Sequence, residues 1–219
     1  DDSDEDDKLT GAIVLDPEEL DSVGLHKNEA ILDFAGLYPS IMISYNASHE
    51  TKIRPGEESD DDIIGDGCRF KRNPIGLLPA SVIELDVLRD EYKLKRDKAG
   101  EKHGKTSNEF RKWDDAQKTV KRLRATFYGL MAFKGYSWGD MDIARTITKG
   151  GRDALKSIIN ASEDLGYKVI YGHTDSIFVC MGDDLSTEEC VEKAKELGVY
   201  LTHLMQEELQ SEAMIVDCE

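Results

Sequence analysis

Apolar residues along this chain follow two different rhythms. Two short stretches are apolar almost without interruption. Val169-Ile170-Tyr171-Gly172-His173-Thr174-Asp175-Ser176-Ile177-Phe178-Val179 has two β-branched and aromatic arms around a polar centre that includes a glycine, the pattern of a tight β-hairpin or a sharply bent strand pair. Residues 29–34 form a second run that ends near Asp33 and is followed by Tyr38-Pro39-Ser40. Ile13-Val14-Leu15, stopped by Asp16-Pro17, and Ala213-Met214-Ile215-Val216 give two further short strands. Elsewhere the spacing is helical. Helices are expected over 38–45, with Pro39 in the first turn, and over 79–102, with Ile83, Val87 and Leu88 on one face. A third runs from an N-cap at Ser107 to about Phe127. A fourth covers 142–165, marked by Ile143, Ile147, Leu155 and Ile158, and a fifth covers 187–210, with an acid-rich start after Ser186. Residues 17–28 are a polar connection. Residues 52–76 carry the acidic cluster 57–62 and read as an exposed loop with a short hairpin near Cys68, and residues 129–138 form a glycine- and aromatic-rich connector.

Length and charge narrow the class. The 219 residues suffice for one large or two small domains with a real core. No run of 18 apolar residues occurs, so no membrane span is expected, and the acidic start has no apolar region of a signal peptide. Cys68, Cys180, Cys190 and Cys218 lie far apart, which argues against a zinc site or a disulfide framework and fits a reducing cytoplasm. Residues 1–10 read as an acidic disordered tail, and a start without methionine reads as a fragment of a longer chain. The net charge of −17 argues at first against nucleic acid. Its distribution is more informative: residues 79–127 hold 13 Lys/Arg against 9 Asp/Glu, net +4, and the rest hold 15 against 36, net −21. Such an acidic body is either a solvated face or an adaptation to a high-salt cytoplasm, where self-repulsion is screened.

The candidate chemistry sits on the apolar runs. Asp33 and Asp175 are carboxylates on two buried supports far apart in sequence, which points to one shared site for a divalent metal with hard oxygen ligands. The alternative reading is that both are ordinary strand-end aspartates. On the 79–102 helix, Arg89 and Lys93 are four residues apart and share a face. Taken singly, each is an ordinary solvated charge.

Three segments in order carry a family resemblance. Asp33-Phe34-Ala35-Gly36-Leu37-Tyr38-Pro39-Ser40-Ile41 resembles the first polymerase motif of the B-family DNA polymerases, Lys121-Arg122-Leu123-Arg124-Ala125-Thr126-Phe127-Tyr128-Gly129 the second, and Tyr171-Gly172-His173-Thr174-Asp175-Ser176 the third, across about 145 residues. Thr148-Lys149-Gly150-Gly151-Arg152 is similar to a stretch of the family's palm helix. The resemblance covers nearly the whole chain and implies an α+β palm: a small, mainly antiparallel sheet packed by helices on one face, plus a two-helix fingers projection. Residues 11–78 and 128–219 would be the two parts of the palm and 79–127 the fingers, with the family's exonuclease and thumb absent. The implied activity is template-directed DNA synthesis from deoxynucleoside triphosphates on a primer–template, with two Mg²⁺ roughly 3.5–4 Å apart. It implies archaeal kinship, and contact with a sliding clamp through regions outside this chain.

By the same carry-over, Asp33 and Asp175 are catalytic and hold metal together with the backbone carbonyl of Phe34. Leu37, Tyr38, Arg89, Lys93 and Lys121 meet the nucleotide, with Tyr38 as the gate against a 2′-hydroxyl. Tyr128, Gly129, Gly172, His173 and Thr174 meet DNA. Three departures stand out. Ala125-Thr126 replaces Asn-Ser, His173 replaces an aspartate, and Gly36 replaces a serine or alanine, the last reading as a mild change. Strand alternation would put His173 on the side of Asp175 unless the turn intervenes. These departures leave a second reading open, a catalytically weakened module that binds DNA or a partner chain. A third, an acidic interaction module, explains the charge and not the motifs. The same absence of family regions opens the reading that the isolated piece is inactive by itself.

Overall fold

The computed structural model describes residues 11–133 and 135–218; the acidic tail expected at 1–10 lies outside the described residues. The elements in order are β1 (Val14–Leu15), β2 (Glu29–Phe34), α1 (Leu37–Ser44), β3 (Ile63–Ile64), β4 (Arg69–Phe70), α2 (Leu77–His103), α3 (Asn108–Ala132), α4 (Met141–Asp164), β5 (Lys168–His173), β6 (Ser176–Cys180), α5 (Thr187–Leu209) and β7 (Val216–Cys218). β1, β5, β6, β2 and β7 form one five-stranded sheet in that order, and each neighbouring pair is antiparallel. β3 and β4 form a separate small hairpin.

Helix α4 packs on β5 and β6, α5 packs on β2 and β7, and the two helices touch each other, so they cover the same sheet face. The core lies in that layer. β2 shows why: Ala30, Leu32 and Phe34 are buried, whereas Ile31 and Asp33, on the other face, are only half-buried. On α4 the buried set includes Ile143, Ile147, Leu155 and Ile158, one continuous apolar stripe. The starts are capped as the sequence demands: Ser107 accepts from Phe110 N–H at 3.2 Å, Asp140 accepts from the N–H groups of Asp142 and Ile143, and Ser186 with Glu189 forms a full capping box.

Helices α2 and α3 pack chiefly on each other and form an antiparallel pair that leaves the sheet. A distant loop anchors the root of α2. Asn46 donates from Nδ2 to the carbonyls of Lys71 and Pro74 and accepts from Gly76 N–H at 2.7 Å, while the Ser48 hydroxyl and the Glu50 carboxylate accept from the Leu78 and Leu77 N–H groups. These side chains satisfy the orphan donors of the helix start.

Three elements have ends that differ from the sequence expectation by two residues or more. Helix α2 starts at Leu77 rather than 79 because those loop caps extend it. Helix α3 runs on through Gly129 to Ala132, shortening the expected 129–138 connector. Met131, 1% exposed, is locked into the core, and its burial outweighs the roughly 1 kcal/mol helix cost of a glycine. The last strand is Val216–Cys218, not 213–216. The Thr202 hydroxyl accepts from Val216 N–H at 2.9 Å and donates to its carbonyl at 3.3 Å, fixing where β7 begins.

Candidate functional site

The open end of β2 meets the β5–β6 turn and the roots of α2 and α3 around a cleft of about 380 Å³. Each wall has a local cause. β2 pairs with β6 so that Asp33 lies opposite Ser176, and with β7 so that Asp33 lies opposite Asp217. The β5–β6 hairpin turns on only Thr174 and Asp175, since His173 already pairs with Ser176. Thr174 takes a left-handed backbone, φ 56°, which costs a β-branched residue strain. Three hydrogen bonds hold the turn: Thr174 N–H to Ile13 O at 3.0 Å, Asp175 N–H to His173 O at 2.6 Å, and Phe34 N–H to Asp175 O at 2.8 Å. The last joins the Asp175 turn to the Asp33 strand end, so the two acids cannot move apart without breaking it.

Asp33, Asp175 and Asp217 line the cleft on the sheet side, together with Phe34 and Thr174. Arg89 and Lys93 from α2, and Lys121 and Arg124 from α3, line it on the other. Lys93 is paired with Asp90 at 2.9 Å. The Nε of Arg89 is buried and has no hydrogen-bond partner among the described residues. Leu37, Tyr38 and Ala125 also line it. Tyr38 lies against Tyr128 with ring centroids 4.6 Å apart, tilted by 44°. Burial pushes both phenols above their ordinary pKa; Arg152 opposes this at both, and for Tyr38 the Asp175 charge adds to the rise. Both rings are therefore neutral at pH 7. Gly151 of α4 makes room for this stack, since a Cβ there would sit 2.9 Å from the Tyr38 ring.

The other expected DNA-facing residues lie around the cleft rather than in it. Gly129 is on α3 with open space about it. Gly172 is buried in β5 beneath Leu15 and Ile159 and serves the strand packing. His173 is exposed and stacks on Tyr171, centroids 6.1 Å apart. The turn does intervene: Asp175 lines the cleft and His173 does not.

Two cleft-lining positions escaped the sequence reading. Asp217 falls in β7, beyond the expected strand end, and its signal would have been an acid between Val216 and Cys218 in an apolar run. Arg124 stands one helical turn beyond Lys121, and a buried guanidinium has no sequence signature apart from its partners. Gly36 is not a mild change: its φ is 92°, and a Cβ there would overlap Arg124 Nη2 and lie 2.8 Å from Cζ.

Among the described residues no three His, Cys, Asp or Glu side chains converge tightly enough to hold a metal ion by themselves. The donor chemistry nevertheless fits a hard divalent ion. Mg²⁺ is commonly held by one or two carboxylates, with water and substrate phosphates supplying the rest. Aspartates on adjacent strands opposite a row of cations match that mode: an anionic floor for metal and a cationic wall for phosphate.

A family model described as DNA polymerase family B matches residues 1–219. The chain is 34% identical over 181 residues to DNA polymerase 2 of Aeropyrum pernix, covering 78% of this chain and 21% of that protein. It is 36% identical over 169 residues to the DNA polymerase of Archaeoglobus fulgidus, covering 77% and 20%. Among solved structures it resembles the family B DNA polymerase of the hyperthermophilic archaeon Pyrobaculum calidifontis, with a TM-score of 0.64 at 26% identity over 87% of this chain and 23% of that one. The chain spans about a fifth of the length of the relatives it matches.

Proposed function

The chain belongs to DNA polymerase family B, and from that premise we propose that it forms the nucleotidyl-transfer site of a DNA-directed DNA polymerase. The observation that carries this reading is the cleft itself, with carboxylates from two strands and the β5–β6 turn on one wall and cations from two helices on the other.

In this reading Asp33, Asp175 and the Phe34 carbonyl hold divalent metal, and Asp217 contributes a further carboxylate. Bound Mg²⁺ supplies charge neutralisation and activation of the primer 3′-hydroxyl. The chain's own residues do the rest. Lys121, Arg89 and Lys93 converge on the triphosphate of a deoxynucleotide, and the Nε of Arg89, without a partner among the described residues, is a donor awaiting an acceptor. Leu37 and Tyr38 form the floor under the sugar and base, and the neutral Tyr38–Tyr128 pair makes that floor rigid. Tyr128, Gly129, His173 and Thr174 border the path of the primer–template, with Gly172 supporting the turn from below.

Ala125 favours a second reading, a weakened module that binds DNA without extending it, because it lines the cleft with no polar group. One assay separates the two. The full-length native protein should extend a primed template with the four deoxynucleoside triphosphates and Mg²⁺, and Asp175→Asn should abolish extension while leaving DNA binding intact. DNA binding without extension by the wild type would select the weakened module.

A further inference from the structure

Arg124 is the most tightly engaged cation of the cleft. It is only 7% exposed. Its Nη1 donates to Asp86 on α2, and its Nη2 donates to Ala35 O at 2.8 Å and Gly36 O at 3.4 Å. One guanidinium therefore joins three elements: α3, which carries it, α2, and the turn between β2 and α1. That turn has Asp33 and Phe34 immediately before it and Leu37 and Tyr38 immediately after it. On α3, Lys121 stands one turn before Arg124; on α2, Arg89 stands one turn after Asp86.

The site is shaped for this tie. Gly36 sits in the left-handed region at φ 92°, and any side chain there would collide with the guanidinium. The planar fork of arginine can serve a carboxylate and two carbonyls at once, which a lysine ammonium cannot do from the same stem. With Asp86 and two carbonyls already on its nitrogens, Arg124 is poorly available to a phosphate.

We propose that Arg124 is a positioning residue: it fixes the α2–α3 pair against the sheet, and so sets where Lys121, Arg89 and Lys93 stand relative to Asp33 and Asp175, with Gly36 as the clearance it requires. This deepens the proposed polymerase reading and rests on it.

The test uses the full-length protein with Arg124→Gln, Arg124→Lys, Gly36→Ala and the double variant Gly36→Ala/Arg124→Gln. Steady-state extension is measured against nucleotide and against primer–template separately. The tie predicts that Arg124→Gln lowers kcat roughly ten- to a hundredfold and raises the nucleotide KM, because phosphate-binding cations are misplaced. The KM for primer–template should stay put. Gly36→Ala should reproduce that split with Arg124 still present, the double variant should be no worse than the worse single, and Arg124→Lys should fall between wild type and Gln. A lower melting temperature with both KM values unchanged would make Arg124 a merely structural residue and overturn the proposal, as would additive losses in the double variant.

Hydrogen exchange on the same proteins separates this claim from the functional one. Faster exchange at the root of α3, residues 120–127, in both Arg124→Gln and Gly36→Ala supports the tie even if the wild type extends nothing, an outcome that would sink only the polymerase reading. Unchanged exchange there in both variants overturns the tie whatever the activity.

Discussion

Asp33 and Asp217 face each other across hydrogen-bonded strands at the edge of a cleft, and like charges placed directly opposite on a sheet oppose folding by roughly 0.2–1 kcal/mol. A divalent cation reverses the sign of that contribution. Asp217→Asn should therefore raise the melting temperature slightly in EDTA, by about 1–3 °C for a chain of this size, and should shrink the rise that Mg²⁺ gives the wild type. Calorimetry with and without Mg²⁺ reads both, and an unchanged Mg²⁺ increment would remove Asp217 from the site. His173 is the contrasting residue. Its ring lies on Tyr171 outside the cleft lining, so His173→Asp should alter the extension rate by no more than about threefold, a small term beside those expected of groups on the reacting atoms. A loss as large as that of Asp175→Asn would mean that position 173 acts on the metals after all. Asp33, Asp175, Arg89, Lys93 and Lys121 were legible in the sequence because each belongs to a short local pattern. Arg124 was not, because its meaning depends on Gly36, 88 positions away, and neither residue announces the other.

At the scale of elements, strands were legible where one face is buried and helices where the apolar stripe is long, as in β2 and α4. Ends were decided by partners distant in sequence: Glu50 and Ser48 for α2, the core for α3, Thr202 for β7. The start of α4 shows the same dependence. Lys52, from the loop after α1, donates to Asp140 at 2.9 and 3.0 Å and to Asp142 at 2.6 Å. Burial alone would raise the Asp140 pKa, but the Lys52 contact and the N–H groups of Ile143 and Asp142 outweigh it and hold the carboxyl below its usual range. Burial would likewise lower Lys52, and its two carboxylate partners outweigh it and hold the ammonium above its usual range. A depressed acid stabilises the fold above its unfolded pKa and loses that contribution as pH falls through the folded value. A raised base does so below its unfolded pKa and loses it as pH rises through the folded value. The network should thus contribute fully from above the carboxylate range up to the lysine range. Lys52→Met should cost about 1–3 kcal/mol at pH 7, and the deficit against wild type should narrow in acid. Denaturant melts at pH 7 and pH 3 measure this, and a deficit as large at pH 3 would assign the loss to packing alone.

The whole molecule carries its charge in two unlike parts, net +4 over residues 79–127, most of α2 and α3, and net −21 elsewhere. These parts respond to salt with opposite signs. Self-repulsion in the acidic part opposes the compact state, and its range shrinks as the Debye length falls from about 10 Å at 0.1 M to about 3 Å at 1 M. Raising potassium chloride over that interval should therefore raise the melting temperature. The ion pairs of α2 and α3, such as Lys95–Glu91 and Lys118–Asp114, are largely exposed and lose little on screening, because exposed pairs contribute only about 0–1 kcal/mol each. Repulsion among many uncompensated acids is the larger quantity, so it sets the sign. DNA affinity must move the other way. Phosphate contacts release counterions, and each is weakened by added salt; the basic part is small and the acidic part repels the duplex at long range, so binding should be weak at physiological salt and fall further above it. Melting curves and fluorescence anisotropy with a primed duplex, over the same potassium chloride series, read the two trends together. A melting temperature that is flat or falls with salt would show that the acidic surface is already compensated, and would leave the high-salt reading of the composition without support. DNA affinity indifferent to salt would mean that the cations of α2 and α3 are not what the duplex meets.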